Sequence, residues 1–161
     1  MAEIFFYNMT GCLLESALPH ILEKTLRRGW RALVRGTDAA RLGRLDQMLW
    51  TRSDEDFMPH GLAGGDHDGA QPILLTPGLE NTNGAELLVL IDGARAHVAE
   101  AGTFKRVCLM FDGNDAAHLN AAHEDWNAIT AAGLPAKYWA QDGGRWVKKT
   151  ESTGRRRTAP P

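Results

Sequence analysis

The chain has 161 residues, enough for one domain with an ordinary core, and its 43% apolar and 24% charged residues are typical of a globular protein. A formal net charge of −2 argues against a strongly basic nucleic-acid-binding surface. No apolar segment is long enough to span a bilayer, and Glu3 interrupts the first apolar run, so we expect neither a membrane span nor a secretory signal. Cys12 and Cys108 lie far apart between apolar residues, which favours buried, reduced thiols in a cytoplasmic protein.

The first part of the chain predicts two strands with a helix between them. Residues 4–7 form an apolar, aromatic run that is typical of a buried strand. Ser16 is predicted to cap a helix with one apolar face, in which Pro19 is tolerated because it falls in the first turn. Gly29 ends this helix, and residues 30–34 predict the second strand.

The middle of the chain predicts a helix, a long loop and three more strands. Asp38 caps the helix, in which leucines recur at helical spacing, namely Leu42, Leu45 and Leu49. Residues 51–71 carry charge, Gly, Pro and His and are predicted to form a loop. Three apolar runs then predict strands, at residues 73–75, 87–91 and 107–111. A short helix is predicted at residues 94–102.

The last part of the chain predicts a long helix and a hairpin. Asn114 or Asp115 caps the helix and Gly133 ends it. The buried stripe of this helix is predicted to comprise Leu119, Ala122, Trp126 and Ile129. Residues 138–139 and 146–147 predict a hairpin around a turn with two glycines. Strands that alternate with helices imply the α/β class, with a mostly parallel, doubly wound sheet and helices on both faces.

The turn after the first strand carries no phosphate-binding motif. Residues 8–12 read Asn-Met-Thr-Gly-Cys, without the Gly-x-Gly-x-x-Gly pattern, and the chain contains no Gly-x-x-x-x-Gly-Lys-Ser/Thr. Because an α/β sheet alone does not specify a ligand, the sequence predicts no bound cofactor.

A glycine-rich loop at residues 60–68 brings together two imidazoles and two carboxylates, from His60, Asp66, His67 and Asp68. Such groups can bind transition metals. Catalytic metal sites hold their ligands on rigid elements, however, so a solvated loop is expected and no metal or catalytic residue is assigned. An α/β enzyme, or a nucleotide- or metal-binding protein that uses this loop, is kept as the alternative function.

One stretch is more specific than any of these motifs. Residues 45–60 read LDQMLWTRSDEDFMPH, which resembles the pattern of the DNA polymerase III chi family: a helix ending L-D-x-x-L-W, then a loop with S/A-x-x-F-x-P-H. The resemblance covers roughly residues 2–149. We therefore expect a chi-like domain at residues 1–149 and a basic, disordered tail that ends in proline at residues 150–161.

The resemblance implies a Rossmann-like fold without a cofactor and an accessory subunit without catalytic activity of its own. It further implies a place in the DNA polymerase III holoenzyme during DNA replication, with DNA contacted only indirectly. One surface would bind the psi subunit or another clamp-loader component. Another would bind the acidic, Phe-terminated C-terminal tail of single-stranded-DNA-binding protein.

Carried over to matching positions, the resemblance also implies two sets of site residues. The clamp-loader interface would comprise Trp50, Phe57, Pro59 and His60. The tail site would comprise His123, Trp126, Asn127 and Thr130. Because His123 and Asn127 stand where the family has basic residues, weaker or pH-sensitive tail binding is expected. Positive charge at this site could instead come from Lys105, Arg106, Lys137, Lys148 or Lys149.

Overall fold

The computed structural model describes residues 2–51 and 58–153. Its strands are β1 (Glu3–Asn8), β2 (Ala32–Arg35), β3 (Gly61–Leu62), β4 (Ile73–Thr76), β5 (Leu87–Leu90), β6 (Arg106–Phe111), β7 (Ala136–Asp142) and β8 (Arg145–Ser152). Its helices are α1 (Leu14–Arg27), α2 (Ala39–Thr51), α3 (Val98–Ala101) and α4 (Ala116–Ala131), with a 3₁₀ turn at Asp68–Ala70. None of the described helices is long and apolar enough to cross a membrane.

The eight described strands form one sheet, in the order β3-β4-β2-β5-β6-β1-β7-β8. Every neighbouring pair is parallel except β7 and β8, which pair antiparallel. The predicted α/β fold with a mostly parallel sheet is therefore confirmed.

Helices cover both faces of this sheet. Leucines of α1 and α2, among them Leu18 and Leu42, pack on one face. Helix α4 packs on the other face through Ala122 and Ile129. Because both faces are covered, every residue of β2, β4 and β5 is buried, which explains the continuous apolar runs of these strands.

Helix α1 begins three residues earlier than predicted. Leu13 is the N-cap instead of Ser16, whose backbone N–H already donates to the Leu13 carbonyl at 3.0 Å. Pro19 is consequently inside the helix and not in its first turn, so no backbone N–H is available to donate to the Glu15 carbonyl. Gly29 follows the helix end with a φ of 76°, as its predicted stop position requires.

Two aspartates cap helices as predicted. Asp38 Oδ1 accepts from the Ala40 N–H at 2.9 Å, and Asp115 Oδ1 accepts from the His118 N–H at 3.1 Å. The second bond is the main cause that holds the pKa of Asp115 below its usual value. Of the two predicted caps of α4, Asp115 is therefore the one that the structure uses, while Asn114 donates to the Thr10 carbonyl at 3.1 Å.

The buried stripe of α4 differs in part from the prediction. Ala122 and Ile129 are buried as expected, but Leu119 and Trp126 are only half-buried. Asp125 is buried instead, at 5% exposure. A carboxylate is tolerated there because it is fully engaged in hydrogen bonds with the segment before α3.

The same carboxylate explains why the helix predicted at residues 94–102 is reduced to the single turn of α3. Asp125 Oδ2 accepts from the Ala96 N–H at 2.9 Å, and Asp125 Oδ1 accepts from Arg95 Nη2 at 2.9 Å. Because of these bonds, residues 95 and 96 contact α4 and are not part of a helix. Helix α3 therefore begins after His97, which is its N-cap.

Two further elements differ from the prediction. Strand β2 begins at Ala32 instead of residue 30, because its pairing with β4 and β5 begins there. The loop predicted at residues 51–71 contains, within its described part, β3 and the 3₁₀ turn. Gly61 of β3 lies opposite Leu74 in a parallel pairing with β4.

Strands β7 and β8 form the predicted hairpin. Gly143 and Gly144 have φ values of 59° and 79°, which fit the type I′ turn that matches the twist of paired strands. Strand β8 continues to Ser152, so residues 150–152, which we expected in the tail, pair with β7. Residues 154–161 lie outside the described residues.

Candidate functional site

A groove of about 480 Å³ lies between α4 and the β7–β8 hairpin. It is lined by His123, Trp126, Asn127, Tyr138, Lys149 and Thr150. Three of the four residues predicted for the tail site are among them, since positions 123, 126 and 127 share one face of a helix. Thr130 is not part of the lining, and its hydroxyl donates to the Trp126 carbonyl at 2.8 Å.

The floor of the groove is aromatic and is fixed by the core. The rings of Trp126 and Tyr138 meet edge to face, with centroids 6.0 Å apart. Phe6, which is fully buried in β1, contacts both rings, at 5.3 Å from Trp126 and 6.4 Å from Tyr138. The two rings are therefore held in place before any ligand binds, which lowers the entropic cost of binding.

Tyr138 remains uncharged near neutral pH. Burial raises the pKa of its hydroxyl, and the hydrogen bond from Asn8 offsets this only in part. Asn8 Nδ2 donates to the Tyr138 oxygen at 3.1 Å. The groove floor consequently presents no negative charge to an anionic ligand.

Lys149 supplies a cation beside the aromatic floor. Tyr138 pairs with Thr150 and Trp139 pairs with Lys148, so Lys149 is the extra residue where the register of the hairpin shifts. A bulge of this kind redirects a side chain relative to regular strand alternation. The structure thus places Lys149 in the groove next to Thr150.

The other four candidate cations lie elsewhere. Lys137 and Lys148 both approach Glu151, at 3.8 Å and 3.3 Å. Lys105 and Arg106 lie near the ring of Trp30, which is not part of the groove. Among the five predicted candidates, only Lys149 lines the groove.

The described residues of the predicted clamp-loader interface lie near the end of α2. Trp50 is 49% exposed, and its ring lies 4.2 Å from the ring of His60. His60 is buried, with Nδ1 2.6 Å from the Met58 carbonyl and Nε2 3.1 Å from the Asp46 carbonyl. Pro59, which precedes His60 in the chain, is half-buried. His60 therefore supports Trp50 from inside, and Trp50 provides the exposed apolar surface.

Phe57 lies outside the described residues. Its predicted place at the clamp-loader interface therefore stays a prediction.

The histidine- and aspartate-containing loop does not assemble its four side chains. His60 is occupied by backbone carbonyls, and Asp68 accepts from the N–H groups of Gly64 and Gly65 at 2.8 and 3.1 Å. In the described part of the chain, no group of three or more His, Cys, Asp or Glu side chains is arranged to hold a metal ion. These contacts give the loop a structural role in its own conformation.

Tyr138 and Thr150 are the groove residues that were not assigned from the sequence. Strand alternation in β7 places Tyr138 on the same face as Ala136, which belongs to the core under α4. That alternation could have predicted Tyr138 as a neighbour of Trp126. Nothing comparable was available for Thr150, because β8 is exposed along most of its length and has no apolar pattern.

The sequence model of a family described as "DNA polymerase III chi subunit, HolC" matches residues 1–137. A probable DNA polymerase III subunit chi of Rickettsia prowazekii (strain Madrid E) is 31% identical over 91 residues, which are 56% of this chain and 55% of that protein. The DNA polymerase III subunit chi of Escherichia coli (strain K12) is 31% identical over 91 residues, which are 56% of this chain and 62% of that protein.

The family match does not include all of the residues that line the groove. The alignments span a little more than half the length of either relative. The family match ends at residue 137, so Tyr138, Lys149 and Thr150 lie beyond it. The α4 side of the groove falls within the matched region, whereas the hairpin side is described by this structure alone.

Proposed function

We propose, since this chain belongs to the DNA polymerase III chi subunit family, that it is a non-catalytic subunit which links the clamp loader to the C-terminal tail of single-stranded-DNA-binding protein. The family assigns the chain to DNA replication and to the holoenzyme, and it confirms the resemblance predicted from residues 45–60. The groove beside α4 is the observation that carries the tail-binding half of the proposal.

The groove suits an acidic peptide that ends in an aromatic residue. The edge-to-face pair of Trp126 and Tyr138 offers an apolar surface for a ring, since aromatic pairs favour this geometry. Lys149 lies at the same groove and can attract a terminal carboxylate, while Asn127 can donate a hydrogen bond. A ring and an anion would therefore be recognised together.

Trp50 supports the clamp-loader half of the proposal. It is a large apolar side chain, half exposed at the end of a helix, and its ring rests on buried His60. Interfaces concentrate their binding energy in anchors of this kind, and Trp is among the residues most enriched there. We assign Trp50 as the anchor for the psi subunit or another clamp-loader component.

A bridging experiment tests both halves at once. Immobilised single-stranded-DNA-binding protein should retain the clamp loader only when this chain is added. Trp50→Ala should abolish clamp-loader retention while this chain is still captured. Trp126→Ala should weaken capture of the chain itself by about 30-fold, which corresponds to about 2 kcal/mol for a central aromatic anchor.

Matched controls separate specific loss from general damage. Leu79, which is 71% exposed and distant in sequence from both sites, serves as an apolar control through Leu79→Ala. Lys149→Gln should weaken capture by about fivefold, whereas its neighbour Lys148, which pairs with Glu151, should tolerate Lys148→Gln. Equal capture of single-stranded-DNA-binding protein with and without its last residues would refute the tail-binding half.

His123 lines the groove beside Trp126, and its side chain is exposed. A ring N–H of His123 can donate a hydrogen bond to an acceptor of the tail. His123→Ala should therefore weaken tail-peptide binding by about fivefold, which corresponds to about 1 kcal/mol for one hydrogen bond.

Peptide titrations of the two chains check this expectation. A His123→Ala chain that binds the peptide as tightly as the unaltered chain would show that His123 does not contact the tail.

A further inference from the structure

Basic side chains from distant parts of the sequence surround Trp30 at the amino-terminal edge of the parallel strands. Lys24, Arg27 and Arg28 come from the end of α1, while Lys105 and Arg106 come from the start of β6. Four of these cations, all except Lys105, border a pocket of about 250 Å³ whose wall includes Trp30 and Phe5, while Lys105 lies over the Trp30 ring. We call this group the Trp30 cluster, comprising Phe5, Lys24, Arg27, Arg28, Trp30, Lys105 and Arg106.

Cations and aromatic rings are in direct contact in this cluster. Arg28 lies 5.1 Å from the centroid of the Trp30 ring, and Lys105 and Arg106 each lie 5.6 Å from it. Arg106 is also 4.5 Å from the centroid of Phe5. Arg28 and Lys105 are exposed, so both can move from the ring onto an anion without disturbing the core.

No carboxylate of the described residues forms an ion pair with any of the five cations of the Trp30 cluster, whereas Arg35, Arg41 and Arg95 all have such partners. Glu86 accepts from the Arg31 N–H, and Glu3 lies opposite Arg106 in the strand pairing without forming an ion pair with it. The cluster is therefore a local positive surface on a chain whose net charge is −2.

Arg106 carries an unused donor. Its Nε is buried and has no hydrogen-bond acceptor among the described residues. A buried donor without a partner is unfavourable, and an anion in the pocket would satisfy it. This donor is a second observation, independent of the surface charge, that points to an anionic ligand.

We propose that the Trp30 cluster binds single-stranded nucleic acid, with phosphates on the cations and a base against the Trp30 ring. Proteins that bind single strands without sequence preference combine a positive groove with aromatic side chains on which bases stack. Both components are present here within one pocket. This site is separate from the aromatic groove and does not depend on the proposed function.

The location of the cluster favours a single strand over other anionic partners. A pocket of about 250 Å³ can admit one base or sugar, whereas the edges of bases in a duplex stay stacked inside the helix. An acidic peptide would gain affinity by pairing with a sheet edge, but β1, β5 and β6 are all interior strands. The observed chemistry therefore fits a flexible chain of phosphates and bases best.

Fluorescence anisotropy with labelled oligo-dT and oligo-rU of about 15 nucleotides tests the proposal on the full chain. Arg28→Gln combined with Lys105→Gln should weaken binding about tenfold and reduce the salt dependence by about 1.4 in log–log slope. Trp30→Ala should weaken binding about tenfold through lost stacking. Arg145→Gln, which alters an exposed cation in the β7–β8 hairpin, should leave binding unchanged.

Two further arms separate the rival explanations. The chain in which Arg155, Arg156 and Arg157 are all replaced by Gln should keep its affinity for the oligonucleotide. Loss of binding in that variant would assign the binding to these three arginines and not to the Trp30 cluster. Competition by an acidic peptide as effective as the oligonucleotide would show a general anion site and overturn the proposal. So would oligonucleotide affinity that is unaffected by the paired Arg28 and Lys105 substitutions, whose exposed positions leave the fold intact.

Discussion

Glu100→Ala should lower the free energy of unfolding by about 3–5 kcal/mol, although it removes a side chain that is partly exposed. Glu100 Oε1 lies 2.5 Å from Arg35 Nη1, and the Arg35 side chain is only 4% exposed. Arg35 also donates to the carbonyls of Gly78 and Leu79, at 2.8 and 3.0 Å. Removing the carboxylate leaves the buried Arg35 cation in an interior strand with only carbonyl acceptors. An uncompensated buried charge of this kind is strongly destabilising.

Chemical denaturation monitored by circular dichroism measures this loss. Glu124→Ala is the matched control, because Glu124 also pairs with an arginine, at 3.0 Å, but its side chain is 69% exposed; a change below about 1 kcal/mol is expected. Replacing both partners, by Arg35→Met with Glu100→Leu, should restore much of the stability, since the uncompensated charge is gone. A loss for Glu100→Ala no larger than for Glu124→Ala would contradict the prediction.

Gly113→Ala should destabilise the protein by about 2–3 kcal/mol. A Cβ atom at this position would lie 1.7 Å from Asn8 Oδ1 and 2.5 Å from Asn8 Cγ. Asn8 must then change its side-chain conformation, which breaks its hydrogen bond to the Tyr138 hydroxyl. Overpacking of this kind typically costs about 1–3 kcal/mol, and a lost hydrogen bond adds to it.

A double-mutant cycle identifies the cause of this effect. In an Asn8→Ala background the space is open, so Gly113→Ala should then cost less than about 1 kcal/mol. Gly113→Ala alone should also weaken tail-peptide binding, because Tyr138 loses the partner that fixes it in the groove floor. The same stability cost in both backgrounds would show that the strain lies in the backbone of the turn instead.

Most of the fold follows from local patterns. The runs at residues 73–75, 87–91 and 107–111 were predictable as strands because a parallel sheet covered on both faces requires unbroken apolar sequence. The final hairpin was predictable because two glycines supply the positive φ values of its turn. Helix α3 was predicted too long, since the hydrogen bonds of Asp125 to residues 95 and 96 come from a helix thirty residues away and leave no local trace.

The candidate groove was predictable only on one side. Helical spacing places His123, Trp126 and Asn127 together, and the chain does present them on one surface. Lys149 could not be chosen among five candidate cations, because its direction depends on a register shift in the β7–β8 pairing. His60 was predicted as an interface residue, but its ring points inward and contacts the carbonyls of Met58 and Asp46.

The sequence by itself therefore determined the family, the order of the strands and helices apart from β3, and the position of Trp126 on the same helix face as His123, because each depends on neighbours within a few turns or on a continuous motif. Tertiary structure alone decided where charge accumulates. Lys105 and Arg106 join Arg28 around Trp30 only because β6 and the end of α1 meet at one edge of the sheet. A net charge of −2 conceals that local excess, since charge sums over the whole surface whereas binding depends on the few side chains that pack around one ring.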